Sequence, residues 1–125
     1  IPRLEEVLAL LPEGFPLNLE IKRRQADYDA LSGALARLLA GRANLLLSSF
    51  DWTLLARLRR ALPEAAFAPL ARRGWRQLLQ TGRSLEAFSL HCHWRMARAP
   101  LIAAARAEGK PVFVYTVNTT RAAAG

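Results

Sequence analysis

The chain has 125 residues, room for one domain of ordinary size or for part of a larger one. Hydrophobic residues make up 52% and charged residues 22%, with seven Gly and seven Pro, a balance that excludes a disordered tail and collagen-like or low-complexity sequence. Eighteen Lys and Arg, sixteen of them Arg, stand against ten Asp and Glu and leave a net charge of +8, which suits nucleic acid, anionic lipid or a phosphorylated substrate, or serves solubility alone.

In chain order, Leu4, Val7, Leu8 and Leu11 predict an opening helix over Leu4 to Leu11. Leu17 to Ile21 alternates apolar and polar residues and predicts the first strand. Asp27 to Ala40 places Leu31, Leu35, Leu38 and Leu39 on one helical stripe. Strand-like Asn44 to Ser48 follows, then a helix over Trp52 to Leu62 with Asp51 as its N-cap. Ala66 to Leu70 predicts a third strand and Arg73 to Gln80 a short helix. Ala87 to His91 predicts a fourth strand. Leu101 to Glu108 reads as a helix, with Pro100 in its first turn and Gly109 just past its end. Val112 to Thr116 predicts the last strand. No apolar run is long enough to span a membrane. The single cysteine, Cys92, excludes an internal disulfide framework and predicts a reducing, cytoplasmic setting. The arginines fall in short groups: Arg23-Arg24, Arg57 with Arg59-Arg60, Arg72-Arg73 with Arg76, and Arg95 with Arg98. No single stripe forms, so solvated helix faces are expected.

Strand starts recur every ~20–28 residues, the length of a βα unit. Strands joined through helices run parallel with right-handed crossovers, which makes the fold α/β. Five strands do not close a barrel of about eight. The alternatives are an open doubly wound sheet and a partial (β/α) TIM-type barrel with its first strands missing. The chain starts at Ile1 and stops at Ala122-Ala123-Ala124-Gly125, ends that read as cut, and this favours the partial barrel over residues 1–125.

The first strand bears on that choice. Leu17, Leu19 and Ile21 point one way; Asn18, Glu20 and Lys22 point the other. A polar face is costly in an open sheet covered by helices on both sides. In a barrel that face lines the lumen, and active sites are built at the C-terminal ends of the strands. Glu20 and Lys22 sit at that end, about 7 Å apart along the strand. A carboxylate there suits a hard divalent cation, and an ammonium beside it suits a phosphate. An ion pair on a wet edge strand is the competing reading. His91 and His93 share a strand face and have the spacing to chelate a metal such as zinc, but no third ligand is evident. His91 alternatively lines the substrate pocket or is a satisfied structural histidine. Cys92 reads as a buried small hydrophobe. Ser49 lacks a nucleophile elbow and an assignable base, so it reads as a strand-end hydroxyl bonded to backbone or capping the next helix. Phe50 is expected at the barrel mouth. Trp52, Trp75 and Trp94 read as packing residues.

Leu17-Asn18-Leu19-Glu20-Ile21-Lys22 resembles the "NIEIK" strand of glycerophosphodiester phosphodiesterases. Three further stretches agree in order and spacing. Ile1-Pro2-Arg3-Leu4-Glu5-Glu6-Val7-Leu8 is similar to the family's "IPTLEEVL" helix, Leu47-Ser48-Ser49-Phe50-Asp51 to its "SSF" strand end, and Val112-Phe113-Val114-Tyr115-Thr116-Val117-Asn118 to its "VWTVN" strand. The region between Ala66 and Arg98 matches loosely. The resemblance implies a (β/α) barrel that hydrolyses small-molecule glycerophosphodiesters to glycerol 3-phosphate and an alcohol, with a bound Mg²⁺ or Ca²⁺. Glu20 falls on a metal-ligand position, Lys22 near the phosphate, and Tyr115 where an aromatic side chain lines the pocket. The family's "HRG", "ENT" and "HD" segments, which supply the acid–base histidines and other metal carboxylates, do not occur here, nor does its last "TD" segment. The resemblance therefore assigns no catalytic residue to this chain and implies the C-terminal part of the barrel, inactive alone. Strand alternation raises a difficulty for Tyr115, because Val112, Val114 and Thr116 would face the opposite way.

Two other readings stand beside the metal-dependent hydrolase: a basic α/β module that binds anionic lipid or nucleic acid without catalysis, and an unrelated enzyme that shares only the fold. The hydrolase reading has neither a nucleic-acid partner nor a membrane span. Two bare sheet edges and an exposed lumen face further predict a homodimer of the fragment with a large apolar interface.

Overall fold

The computed structural model describes residues 1–22 and 27–117; Arg23-Arg24 and Asn118 lie outside the described residues. Five helices and five strands alternate: α1 (Leu4–Leu10), β1 (Leu17–Glu20), α2 (Tyr28–Leu39), β2 (Leu45–Ser49), α3 (Trp52–Ala61), β3 (Ala66–Ala71), α4 (Trp75–Ser84), β4 (Leu90–His93), α5 (Ala99–Ala107) and β5 (Val112–Tyr115), with one 3₁₀ turn (Trp94–Met96) after β4. The strands form one parallel sheet in the order β1-β2-β3-β4-β5. A doubly wound sheet reverses its strand order at a switch point. Here spatial order equals chain order, and the sheet curls into half of a TIM-type barrel.

Period-two alternation divides every strand between two environments. The outward residues pack on the helices as two clusters. Leu45, Leu47 and Phe67 meet Leu35 and Leu39 of α2 and Leu54, Leu55 and Leu58 of α3. Ala71, Leu90 and Cys92 meet Leu78 and Leu79 of α4 and Leu101 and Ala105 of α5. Cys92 is fully buried, as its alternation predicts, and burial raises its thiol to about 11, so it stays protonated.

The helix starts follow local chemistry. The Asp27 carboxylate accepts from the backbone N–H of Asp29 and Ala30, and Asp51 accepts from that of Leu54. The backbone N–H of Arg3 donates to Glu6 at 3.0 Å. Helix α4 begins at Trp75 rather than Arg73, because Gly74 takes the left-handed region at φ 78. It also runs on to Ser84, where Leu78, Leu79 and Gly82 give it a buried face. Helix α5 begins at Ala99, and Gly109 follows it at φ 67. Strand β4 starts three residues later than Ala87. Glu86 closes the preceding turn at φ 49, and the ladder to β3 begins with Leu70 opposite His91.

Gly82 is where α4 meets β4. A Cβ there would lie 2.5 Å from Cδ2 of the fully buried Leu90. Overpacking of this kind costs about 1–3 kcal/mol and outweighs the roughly 1 kcal/mol that Ala offers a helix. Gly82→Ala is expected to lower the unfolding free energy in urea by about 1–2 kcal/mol, and Gly82→Val by more.

Candidate active site

The inward face of the half-barrel carries Asn18 and Glu20 from β1, Ser48 from β2, Leu70 from β3, His91 from β4, and Phe113 and Tyr115 from β5, all lining one cleft of about 590 Å³. A neighbouring cleft of about 680 Å³ opens over the strand ends and is lined by Glu20, Lys22, Ser49, Asp51 and Arg72. Glu20, Phe50 and Arg72 border both, so the two form one depression at the C-terminal ends of the strands.

Glu20 closes β1 opposite Ser48 with its side chain in the cleft. The ladder continues one residue beyond it, since the Ile21 N–H donates to Ser48 O at 2.8 Å. That bond fixes the direction of Lys22, which is exposed and borders the same depression. Beneath them the Ser48 hydroxyl donates to the Asn18 side-chain oxygen at 3.0 Å. Ser49 points outward. Its hydroxyl donates to Ile21 O at 2.6 Å and accepts from Asp51 N–H at 3.0 Å, which makes it the strand-end fastener expected from the sequence. The Asp51 carboxylate caps α3 and accepts from the Tyr28 hydroxyl at 2.7 Å.

Tyr115 lines the cleft with Phe113, two residues before it; Val112 packs on the α4–α5 cluster, whereas Val114 and Thr116 also border the cleft. The Tyr115 hydroxyl donates to Ala71 O at 2.9 Å. Its ring meets Phe50 edge-on at 5.9 Å and His93 at 5.7 Å. Burial raises the phenol above its ordinary value, and the nearby Arg72 guanidinium opposes that rise. Phe50 is 41% exposed at the mouth, with Arg72 stacked 5.0 Å above its ring.

His91 is buried in the cleft wall. It shares a 3.0 Å hydrogen bond with Ser89 through Nε2 and lies edge-on to Phe113 at 5.2 Å. Burial lowers its pKa from 6.5, against the raising effect of the Glu20 charge. His93 Nδ1 accepts from the Arg95 N–H at 3.3 Å. Among the described residues no three His, Cys, Asp or Glu converge, so the His91–His93 pair has no third partner there for zinc. Trp52 and Trp75 pack against the α4–α5 cluster, and the Trp52 ring N–H donates to Leu70 O at 2.9 Å.

The structure therefore brings Glu20, Lys22, Tyr115 and His91 to one depression. Sequence reasoning missed Arg72, which borders both halves of it. The residue sits one position past the end of β3, and reading that strand as ending at Leu70 left Arg72 in a solvated run.

The sequence profile of the Glycerophosphoryl diester phosphodiesterase family matches residues 1–124. Among solved structures, a candidate glycerophosphoryl diester phosphodiesterase of Silicibacter pomeroyi is 25% identical, over 97% of this chain and 48% of that one, with a TM-score of 0.76. An Oleispira antarctica phosphodiesterase in complex with the product sn-glycerol-3-phosphate is 24% identical, over 89% and 47%, with a TM-score of 0.73. A glycerophosphodiester phosphodiesterase of Parabacteroides distasonis is 17% identical, over 85% and 46%, with a TM-score of 0.64; these last two likenesses are of fold. The chain spans about half the length of the solved structures it matches. No curated relative matches.

The depressed pKa of His91 has a measurable consequence. The unfolded chain takes up the proton first, so stability is full above the unfolded value of 6.5 and declines as pH falls from there through the lower folded value. The urea midpoint is expected to fall below pH 6.5 in the parent protein and to fall less in His91→Gln.

Proposed function

The chain belongs to the Glycerophosphoryl diester phosphodiesterase family, and we propose that it forms one wall of the active site of a glycerophosphodiester hydrolase that yields glycerol 3-phosphate and an alcohol. The observation that carries this reading is the placement of Glu20 and Lys22 at the inward C-terminal end of β1, in a depression shared with Arg72 and Tyr115. The product named for the Oleispira relative, sn-glycerol-3-phosphate, supports a small-molecule substrate of this kind.

Lys22 and Arg72 are two cations that border the depression. Lys22 acts as a point charge on the diester, and Arg72 offers a planar fork to the phosphoryl oxygens. The Tyr115 and Phe50 rings wall in the glycerol or alcohol part. His91, neutral near pH 7, offers hydrogen bonding without adding charge. A divalent cation, Mg²⁺ or Ca²⁺, would neutralise the phosphodiester and orient the attacking hydroxyl when bound. Among the described residues only Glu20 presents an unengaged carboxylate to the depression, and no group of three ligands forms. These residues make no cation site by themselves, so Glu20 is proposed as one oxygen ligand of a shared site and no step is drawn through the metal.

We assign the proton transfers to no residue of this chain, which alone is expected to be inactive. Among the described residues, strands β1 and β5 each have one neighbour in the sheet. Their free edges are where further barrel strands, or a second copy of the chain, would complete the lumen. A role in phospholipid and glycerol turnover, in a cytoplasmic setting, is part of the same proposal; among the described residues no helix is long and apolar enough to cross a membrane.

Hydrolysis of glycerophosphocholine by the full-length protein with Mg²⁺ or Ca²⁺ tests the activity, and no turnover across a panel of glycerophosphodiesters overturns it. In that assay Glu20→Gln should raise the metal concentration required by at least about tenfold. An unchanged requirement removes Glu20 from the metal site.

A further inference from the structure

We propose that the rim of the barrel mouth above β3 and β4 docks on an anionic lipid bilayer. The two loops that follow these adjacent strands bring Arg72, Arg73, Arg95 and Arg98 around one open basin of about 490 Å³. Arg76, in the first turn of α4, stacks beside it on Trp75. All five arginines are exposed. Among the described residues none of the five is ion-paired; the ion pairs that form use Arg57, Arg59 and Arg83. Helices α4 and α5 both start at this rim with neither an acidic residue in the first turn nor a capping side chain, so nothing local balances the charge.

The chemistry of the basin selects the partner. Its floor is apolar, formed by Trp75, Met96, Pro100 and Leu101. Guanidinium groups above an apolar floor fit an anionic headgroup with its hydrocarbon beneath it. Arginines near a negatively charged leaflet are attracted without precise geometry, and Trp is at home in the interface. Nucleic acid shares the charge, but its bases stack on open rings. Here Arg76 lies 4.6 Å above Trp75 and Arg95 lies 5.4 Å above Trp94, so each ring already has a cation on one face. The rim also borders the Glu20 depression through Arg72, so docking turns the mouth toward the bilayer surface.

The test is cosedimentation of the full-length protein with vesicles of phosphatidylcholine alone and of phosphatidylcholine mixed with phosphatidylserine. Binding needs no turnover, so this result is independent of the hydrolase reading. The parent protein should sediment only with the mixed vesicles, and less as salt rises. Replacing Arg73, Arg95 and Arg98 by Gln should weaken that binding by at least about tenfold. Replacing Arg37, Arg60 and Arg106 by Gln removes the same charge elsewhere; Arg60 and Arg106 lie in the last turns of α3 and α5, at the opposite end of the half-barrel. That control should bind within about twofold of the parent protein. Equal loss in the two triple variants, binding to phosphatidylcholine alone, or displacement from mixed vesicles by a short oligonucleotide each overturns the proposal.

Discussion

Every strand of this sheet serves two environments, because helices cover only one of its faces. That constraint organises the molecule. Outward positions must be apolar and close-packed, and Leu47, Phe67, Leu90 and Cys92 are buried to 1% exposure or less. Inward positions are free of that demand, so β1 can carry Asn18 and Glu20 without the penalty that burying them under a helix layer would bring. Because side chains alternate with a period of two, a one-residue slip in register would put Glu20 among leucines. The outward leucines therefore hold the polar site in place by being unable to exchange faces with it.

The rim built on this frame is electrically uneven. On the side of β1 and β2, helix starts follow the usual rule that anionic groups lie near a helix N-terminus: Glu5 and Glu6 in α1, Asp27 and Asp29 at α2, Asp51 at α3. On the side of β3 and β4 the rule is reversed, with Gly74 and Arg98 as the N-caps and arginines around them. Each such reversal costs a few tenths of a kcal/mol, up to about 1. The large outward cores of α4 and α5 can absorb that cost, so the stability of these helices comes from packing rather than from their ends.

Much of this was legible from the sequence because it depends on local periodicity. The alternation Leu17-Asn18-Leu19-Glu20 is a property of four neighbouring residues, and it fixed both the face and the end of the strand on which Glu20 sits. Asp51 was readable as a cap for the same reason, whereas Asp27, read as the first residue of its helix, caps it from one position outside. Other features depend on contacts distant in sequence. The extension of α4 to Ser84 rests on Gly82 fitting against Leu90 of the next strand, and a glycine in a helix carries no local sign of such a fit. The late start of β4 follows from the positive φ of Glu86, a residue type that gives no warning of it. The arginine groups looked scattered because 23 positions separate Arg72 from Arg95. Only the pairing of β3 with β4 makes them neighbours.

Arg72 joins these parts. It follows the last residue of β3, the central strand, so its position is set by the ladders on both sides. Its guanidinium stacks on Phe50 from the β2 loop and lowers the phenol of Tyr115 from β5 against the effect of burial. Through these two rings a single cation is tied to strands on either side of its own. It borders the Glu20 depression on one side and the arginine basin on the other. Stacking on Phe50 takes the flat face of the Arg72 guanidinium and leaves its N–H groups at the edge, beside the Tyr115 hydroxyl. Charge is thereby fixed at the boundary between the diester cleft and the rim.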